Sequence, residues 1–151
     1  MKILISGGHG RFAQELIKQN SAHHVIALSK LKMDITDPDS IEASIKKYSP
    51  DVFIHAAALS RPMNVHITDP DKSISLNIIG TANCVNACMK YNVKLVYIST
   101  DYVYPGEMGN YSETDGVYPV NKYAWSKLGG ECSVMMYDNS LILRTALTEY
   151  P

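Results

Sequence analysis

The stretch KILISGGHGRFAQELIKQN (residues 2–20) joins a short apolar strand to an amphipathic helix through a glycine-rich turn. Its first five residues are apolar enough for a buried strand, and residues 9–20 carry Phe12, Leu16 and Ile17 at the spacing of one helix face. The same order repeats along the chain. We predict further strands over 24–29, 51–58, 94–100 and 140–146, and further helices over 39–48, 73–91 and 120–137. Apolar strands that alternate with helices predict an α/β fold with a doubly wound parallel sheet.

The composition fits one domain over residues 1–151 and excludes several classes of protein. The chain has 151 residues, 46% of them hydrophobic and 19% charged, with a net charge of −1. A chain of this length buries a core without disulfides or metals. Its near-neutral charge argues against nucleic acid or an anionic membrane as a partner attracted by bulk charge. We expect a cytoplasmic protein, because the apolar runs are too short for a membrane span and no secretory signal is visible.

The turn SGGHGRFA (6–13) carries the first functional signal. It fits G-x-G-x-x-A through Gly8, Gly10 and Ala13, and a related spacing through Gly7, Gly10 and Ala13. Glycines after a strand let a pyrophosphate approach the backbone, and the N–H groups at the start of the next helix point towards it. We therefore predict that this turn binds the phosphates of a dinucleotide.

The end of the second strand bears on the choice of dinucleotide. An acidic residue there would bind the free ribose hydroxyls of NAD, but this strand ends in Ser29 and Lys30. Lys30, Ser29 and Arg11 can instead hold a 2′-phosphate, which favours NADP and leaves NAD as the alternative. Asp34, in the next loop, either bonds the adenine edge or caps the turn together with Asp37.

The segment from Tyr123 to Lys127 predicts the chemistry. Residues four apart share a helix face, so a lysine ammonium beside a tyrosine hydroxyl would favour the phenolate and lower its pKa from about 10. The strand KLVYIST (94–100) brings Ser99 and Thr100 to its carboxyl end, where open parallel sheets bind their ligands. A hydroxyl there can hydrogen-bond a substrate oxygen. We predict a proton-transfer site that contains Thr100, Tyr123 and Lys127.

Other chemistry-bearing residues are given structural roles. Cys84, Cys88 and Cys132 are interpreted as buried, reduced thiols that pack in the core, and no metal site is predicted. His55 is interpreted as a structural histidine with its hydrogen bonds satisfied, rather than as a base.

A series of motifs occurs in order along the whole chain. They are SGGHGRFA (6–13), MDITDPDS (33–40), HAAA (55–58), LNIIGTANCVNAC (76–88), STDYVY (99–104), YSETDGVYPVNKYAWSKLGGE (111–131) and ILRTA (142–146). With these motifs the chain resembles an extended short-chain dehydrogenase/reductase, and most closely the dTDP-4-dehydrorhamnose reductase branch of sugar-nucleotide enzymes. The resemblance implies a Rossmann-like NAD(P)-binding domain.

The resemblance also implies a role for each matching residue. Thr100 would orient the substrate carbonyl, Tyr123 would donate the proton, and Lys127 would bond the nicotinamide ribose while lowering the pKa of Tyr123. Asn77 matches a helix asparagine that supports the active-site backbone, and Asp101 follows Thr100 as in the reductase branch, although a turn-capping Asp would look identical. The cofactor-binding residues expected from the patterns and the resemblance are Gly7, Gly10, Arg11, Phe12, Ala13, Ser29, Lys30, Asp34, Ile35, Ala56, Ala57, Ala58, Asn77, Tyr123 and Lys127.

The function implied is an NADP-dependent oxidoreductase of dTDP-rhamnose biosynthesis that passes a hydride to a 4-keto-6-deoxysugar nucleotide. Members of the family continue well beyond the position of Pro151, so we expect a cofactor-binding half without the substrate-binding part. A homodimer or a partner chain could supply that part. The alternatives are an NAD-dependent sugar-nucleotide epimerase or dehydratase, and a catalytically silent NADP-binding regulatory module.

Overall fold

The sheet lies at the centre of the chain, which a computed structural model describes over residues 1–146. The last five residues of the predicted domain, 147–151, lie outside the described residues. Within the described part, five parallel strands pair in the order β2-β1-β3-β4-β5. They are β1 (Lys2–Ser6), β2 (His24–Leu28), β3 (Val52–His55), β4 (Lys94–Thr100) and β5 (Ser140–Thr145).

Helices cover the sheet on both faces, as the predicted doubly wound α/β fold requires. The helical elements are α1 (Arg11–Gln19), α2 (Pro38–Tyr48), α3 (Val65–Thr68), α4 (Pro70–Ser73), a π-helical segment (Ile74–Ile79), α5 (Gly80–Tyr91), a 3-10 turn (Asp101–Val103) and α6 (Lys122–Val134). One buried cluster packs α2 and α5 on one face, and a second packs α1 on the other. The fold prediction is confirmed.

The strand order creates a crevice between β1 and β3. Strand β1 pairs with β2 on one side and with β3 on the other, so the chain reverses its direction of winding there. Open parallel sheets bind ligands at such a switch point, outside the carboxyl ends of the strands. The loops that follow β1 and β3 therefore frame the candidate site.

Some predicted boundaries and one predicted burial are wrong. The third strand, predicted over 51–58, ends at His55 because the Ala56 and Ala57 amides turn to donate to the Ser6 hydroxyl instead of a neighbouring strand. The last helix begins at Lys122, after its cap Asn121, rather than at 120, and ends at Val134. Cys84 and Cys88 are buried as expected, but Cys132 is exposed, since it lies away from the face of α6 that packs on the sheet.

No helix within residues 1–146 has the length and apolar character needed to cross a membrane.

Candidate functional site

The glycine turn after β1 packs directly against the loop after β3. Gly7 has φ +72°, and a Cβ placed there would lie 2.9 Å from Ala57 Cα. The Gly10 amide donates to the Gly7 carbonyl at 2.8 Å and closes the turn. Position 7 therefore needs glycine for two reasons, its left-handed backbone and its close approach to Ala57.

The start of α1 fits an anionic group. Gly10 is the cap residue and supplies no side chain to the first-turn amides, and no acidic residue lies in that turn. Uncapped amides and the helix dipole together favour a phosphate at this position. Ala13 is fully buried against the sheet, and Phe12 packs beside the same apolar cluster, so both hold the helix close to β1.

The loop after β2 places Lys30 beside Asp34. The Lys30 Nζ atom lies 3.6 Å from Asp34 Oδ2, and 72% of the lysine side chain is exposed. Asp34 Oδ1 accepts hydrogen bonds from the Thr36 amide and hydroxyl, which together with Lys30 lower the pKa of its carboxyl. Of the two roles considered for Asp34, the structure shows turn capping. Asp37 has a separate role, since it caps α2 by accepting from the Asp39 amide.

Ile35 belongs to the core rather than to the surface of the crevice. Its side chain is buried in the cluster beneath α5, and its carbonyl accepts from the Asn83 side-chain Nδ2 atom at 3.1 Å. A methyl group added at Gly80 would lie 2.8 Å from its Cδ1 atom. The structure thus gives the Ile35 side chain a packing role.

Asn77 holds the loop after β3 from inside the π-helical segment. Its Oδ1 atom accepts from the Leu59 amide at 2.8 Å, and its Nδ2 atom donates to the Leu59 carbonyl at 2.9 Å. Nδ2 also donates to Ser126 Oγ at 2.8 Å. Asn77 therefore joins the loop that follows Ala56–Ala58 to helix α6, as expected of a residue that supports the site backbone.

Thr100 and Asp101 lie at the carboxyl end of β4. The Thr100 hydroxyl donates to Asp101 Oδ1 at 3.1 Å and accepts from the Tyr102 amide at 3.3 Å. Thr100 is almost completely buried, at 6% exposure. Its hydroxyl is thereby fixed at the edge of the sheet where the crevice opens.

Tyr123 faces these two residues from α6. Burial and the negative charge of Asp101 raise the pKa of Tyr123, and a hydrogen bond with Thr100 offsets part of that rise. The predicted lowering of this pKa by Lys127 is wrong for this arrangement. The phenol is therefore protonated at neutral pH and can donate a proton.

The ammonium group of Lys127 has other partners. Its Nζ atom donates to the Ile98 carbonyl at 2.7 Å and lies 4.0 Å from the centre of the Tyr97 ring. Burial lowers the pKa of Lys127 to about 7, while the nearby Glu131 carboxylate acts in the opposite direction. The spacing of Tyr123 and Lys127 predicts their shared helix face but not this backbone partner of the amine.

An ion pair between the partly exposed Arg144 and the buried Glu131 joins α6 to β5. Arg144 donates to both carboxylate oxygens of Glu131, with the shortest contact at 2.8 Å, and its third donor reaches the Tyr104 hydroxyl at 2.7 Å. Ser99 also donates to Glu131. This arrangement raises the pKa of Arg144 and fixes α6 against the end of β4 that carries Thr100.

Sequence reasoning missed two buried groups near the site. His66 is 1% exposed, its ring centre lies 5.2 Å from that of Tyr123, and its Nδ1 atom is 2.7 Å from Ser73 Oγ. Ser6 pairs in register with His55 across β1 and β3. The role of Ser6 could have been predicted, because β1 and β3 each end in a polar residue after an apolar run. Nothing in the sequence places His66 beside Tyr123.

Residues 1–146 contain no group of three or more His, Cys, Asp or Glu side chains arranged to hold a metal ion. The residues of the crevice do fit a dinucleotide, because an uncapped helix start and a close glycine turn lie at the switch point of the sheet.

Comparison with known proteins gives the family. Residues 1–148 match the RmlD substrate binding domain family, and the chain belongs to it. The dTDP-4-dehydrorhamnose reductase of Aggregatibacter actinomycetemcomitans is 32% identical over 152 residues, which are 97% of this chain and 51% of that protein. Methionine adenosyltransferase 2 subunit beta of Rattus norvegicus is 31% identical over 143 residues, or 89% and 42% of the two chains.

A solved structure agrees with this assignment. The crystal structure of dTDP-4-dehydrorhamnose reductase from Bacillus anthracis, in complex with NADP, has a TM-score of 0.87 and 28% identity to this chain. The match covers 95% of this chain and 52% of the reductase. The chain spans about half the length of the curated relatives described here.

Proposed function

We propose that this member of the RmlD substrate binding domain family binds NADP and supplies the proton-transfer residues of a sugar-nucleotide reductase of the short-chain type. The observation that carries the proposal is the meeting of Thr100, Asp101 and Tyr123 at the carboxyl edge of the sheet, on the same edge as the glycine turn. The substrate class, a 4-keto-6-deoxysugar nucleotide, is taken from the reductases that this chain resembles.

Each residue of the site has a task in this reaction. Bound NADPH supplies the hydride. Tyr123 holds the proton for the oxygen that gains negative charge, because its raised pKa keeps the phenol protonated at neutral pH. The Thr100 hydroxyl donates to Asp101 and accepts from the Tyr102 amide in this structure, and it would turn its proton from Asp101 to the carbonyl oxygen in order to orient a bound substrate. Lys127, whose amine donates to the Ile98 carbonyl in this structure, would bond the nicotinamide ribose, as the resemblance to the reductases implies.

The preference for NADP rests on the loop after β2. Lys30 is mostly exposed, and no acidic residue follows Leu28 directly, so the ribose position faces a cation. The reductase from Bacillus anthracis was solved with NADP, which supports the same choice. Cofactor contacts by Gly7, Gly10, Arg11, Ala56, Ala57 and Ala58 are part of this proposal.

The reaction can be tested directly. Purified protein is mixed with NADPH and dTDP-4-keto-6-deoxyglucose, and the loss of NADPH absorbance is followed. We expect Tyr123→Phe to lower turnover by about 100-fold or more, in the range of general acid catalysis, and to leave NADPH affinity within about twofold. Tyr118→Phe changes an exposed tyrosine and serves as the control. Equal turnover in the Tyr123→Phe and Tyr118→Phe proteins would refute the role of Tyr123.

A second candidate is a regulatory NADP-binding subunit without turnover. It is favoured by the similarity to methionine adenosyltransferase 2 subunit beta and by the Lys127 amine being bound to the Ile98 carbonyl. Calorimetric titration separates the candidates, because NADP binding without turnover on any sugar nucleotide supports the regulatory subunit. Absence of dinucleotide binding contradicts both.

We also propose a cytoplasmic location and assembly as a homodimer or with a partner chain. The part of the dTDP-4-dehydrorhamnose reductase that this chain matches is 51% of that protein, and an assembled state would add surface around the site. Sedimentation of the purified protein tests this, since a monomer at working concentration would contradict the homodimer.

A further inference from the structure

We propose that His55 is a positioning residue that joins the phosphate-binding turn to helix α6 through one directed chain of hydrogen bonds. The chain consists of Ser6, His55, Thr81, Asn77 and Ser126, and we name it the Ser6–Ser126 chain. The inference rests on the proposed function, because that function makes the two ends of the chain the cofactor site and the proton donor.

The first step fixes the orientation of the Ser6 hydroxyl. Ser6 Oγ accepts from the Ala56 amide at 3.2 Å and from the Ala57 amide at 3.1 Å. A serine oxygen has two lone pairs and one proton, so its proton is left for His55 Nδ1, 2.8 Å away. Ser6 therefore donates to His55 while it holds the loop that packs on Gly7.

The second step fixes the tautomer of His55. A neutral imidazole that accepts at Nδ1 carries its proton on Nε2. Nε2 lies 3.0 Å from Thr81 Oγ1, and the Thr81 hydroxyl in turn donates to the Asn77 carbonyl at 2.8 Å. Each donor in this run has one acceptor, and all hydrogen bonds point from β1 towards the π-helical segment.

The third step reaches the backbone of Tyr123, the residue that carries the proposed proton donor. The Asn77 side chain donates to Ser126 Oγ at 2.8 Å, and the Ser126 hydroxyl donates to the Tyr123 carbonyl at 2.7 Å. Asn77 also accepts from and donates to Leu59, so the loop after β3 is held by Ser6 at Ala56 and Ala57 and by Asn77 at Leu59. The Ser6–Ser126 chain thus sets the positions of the Ala57 amide and the Tyr123 backbone together.

His55 suits this role because it cannot act as a base here. It is completely buried, and both of its ring nitrogens are engaged. Protonation at Nδ1 would leave two donors facing each other or require Ser6 to release a loop amide. In agreement, burial and the charge of Lys127 lower the pKa of His55 to about 3.

The tautomer can be measured without cofactor or turnover. In the ¹⁵N-labelled protein, long-range ¹H–¹⁵N correlation spectra are expected to show His55 as the Nε2–H tautomer, unchanged from about pH 5 to about pH 8. His23 and His24 are exposed, and they serve as solvent-exposed reference histidines. An Nδ1–H tautomer, or titration of His55 in this range, would overturn the proposal.

The coupling between the two ends is tested with serine variants that keep the core intact. We expect Ser6→Ala to weaken NADP binding about tenfold and Ser126→Ala about threefold, whereas the double variant weakens it about tenfold rather than thirtyfold, since residues in one hydrogen-bond network are not additive. Ser133→Ala is the control. The Ser133 hydroxyl also donates to the carbonyl three residues before it on α6, but Ser133 is not a member of the Ser6–Ser126 chain. Independent, multiplying effects of Ser6→Ala and Ser126→Ala would refute the coupling.

A readout without ligand keeps this test separate from the proposed function. In the cofactor-free protein, Ser6→Ala is expected to shift the backbone resonances of Leu59 and Tyr123, and Ser133→Ala is expected to leave those of Leu59 unchanged. If the protein binds no dinucleotide but these shifts occur, the proposed function fails and the positioning chain stands. If the shifts are absent, the proposed coupling through the Ser6–Ser126 chain is refuted, whether or not the protein binds a dinucleotide.

Discussion

Lys127 and His55 are two buried bases that differ in their hydrogen-bond partners. Burial lowers the pKa of both, to about 7 for Lys127 and about 3 for His55. The neutral His55 ring has a hydroxyl partner at each nitrogen, so both of its polar atoms are hydrogen-bonded inside the core. Lys127 has one carbonyl and an aromatic ring, which leaves its charge costly to bury. A charge kept at such a cost is characteristic of a functional residue.

This cost predicts that Lys127→Met stabilises the fold in a pH-dependent way. Below pH 7 Lys127 is charged in both the folded and the unfolded state, so the folded protein bears the full burial penalty. Between pH 7 and 10.5 the unfolded state binds more protons, and wild-type stability rises with pH. We expect the variant to be more stable by about 1–3 kcal/mol at pH 6. Urea unfolding should show this advantage shrinking by pH 10, while turnover is lost.

Lys122→Met is the matched control for that experiment, since Lys122 is exposed at the start of the same helix. Its unfolding free energy should follow that of the wild type at every pH. A gain for Lys127→Met that is the same at pH 6 and pH 10 would contradict a buried charge as its cause.

At the cofactor's ribose, one cation is expected to separate NADP from NAD. We expect Lys30→Ala to weaken NADP binding about tenfold, the value of one charge-assisted hydrogen bond, and to leave NAD within about twofold. The variant also removes the exposed contact with Asp34, which contributes little. Calorimetry with both dinucleotides measures the difference, and Lys32→Ala in the same loop is the control. Equal weakening of both ligands would rule out a 2′-phosphate contact.

At the scale of elements, the π-helical segment and α6 meet through two adjacent glycines. A Cβ at Gly130 would lie 2.7 Å from the Asn77 carbonyl and 2.6 Å from the Tyr97 hydroxyl oxygen. A Cβ at Gly129 would meet only the side chain of Ile78, at 2.8 Å, which is partly exposed and free to turn. The close approach at Gly130 is what allows Asn77 to reach Ser126.

Alanine at these two positions should therefore have opposite outcomes. We expect Gly130→Ala to lower the free energy of unfolding by about 2 kcal/mol, because neither backbone can yield without breaking the Asn77 contacts. Gly129→Ala should stay within about 1 kcal/mol of the wild type, since the gain in helix propensity offsets the shift of Ile78. Urea denaturation of both variants measures this. Similar losses in the two proteins would contradict the packing argument.

The sequence predicted the elements better than their internal geometry. Apolar runs and helical spacing gave the order of strands and helices, and the glycine turn located the crevice, because those patterns follow directly from burial. The π-helical turn at Asn77 was not predictable, since its residues have ordinary helical spacing and only the structure shows the longer backbone hydrogen bond from the Gly80 amide to the Ser75 carbonyl. The partner of Lys127 was missed for a similar reason: spacing identifies a helix face but not the carbonyl that faces it.

At the scale of the whole molecule, the described residues contain a complete switch point although the chain spans about half the length of its relatives. The turn after β1, the loop after β3 and the ends of β2 and β4 all lie on one edge of a single sheet. A ligand that contacts all of them binds and stabilises the folded state but not the unfolded state. Its effect should therefore appear as a shift of the unfolding temperature even where turnover is absent.

We expect NADP to raise the unfolding temperature by about 5–10 °C at a concentration of about 100 times its Kd, which corresponds to about 2.7 kcal/mol for a chain of this size. NAD at the same concentration should give a smaller shift, because it lacks the 2′-phosphate for which we propose Lys30 as the partner. ATP serves as a control for non-specific phosphate binding. Differential scanning fluorimetry of the 151-residue chain measures all three. A shift with ATP as large as that with NADP would show a general anion site at the start of α1, and no shift with either dinucleotide would contradict cofactor binding by this chain.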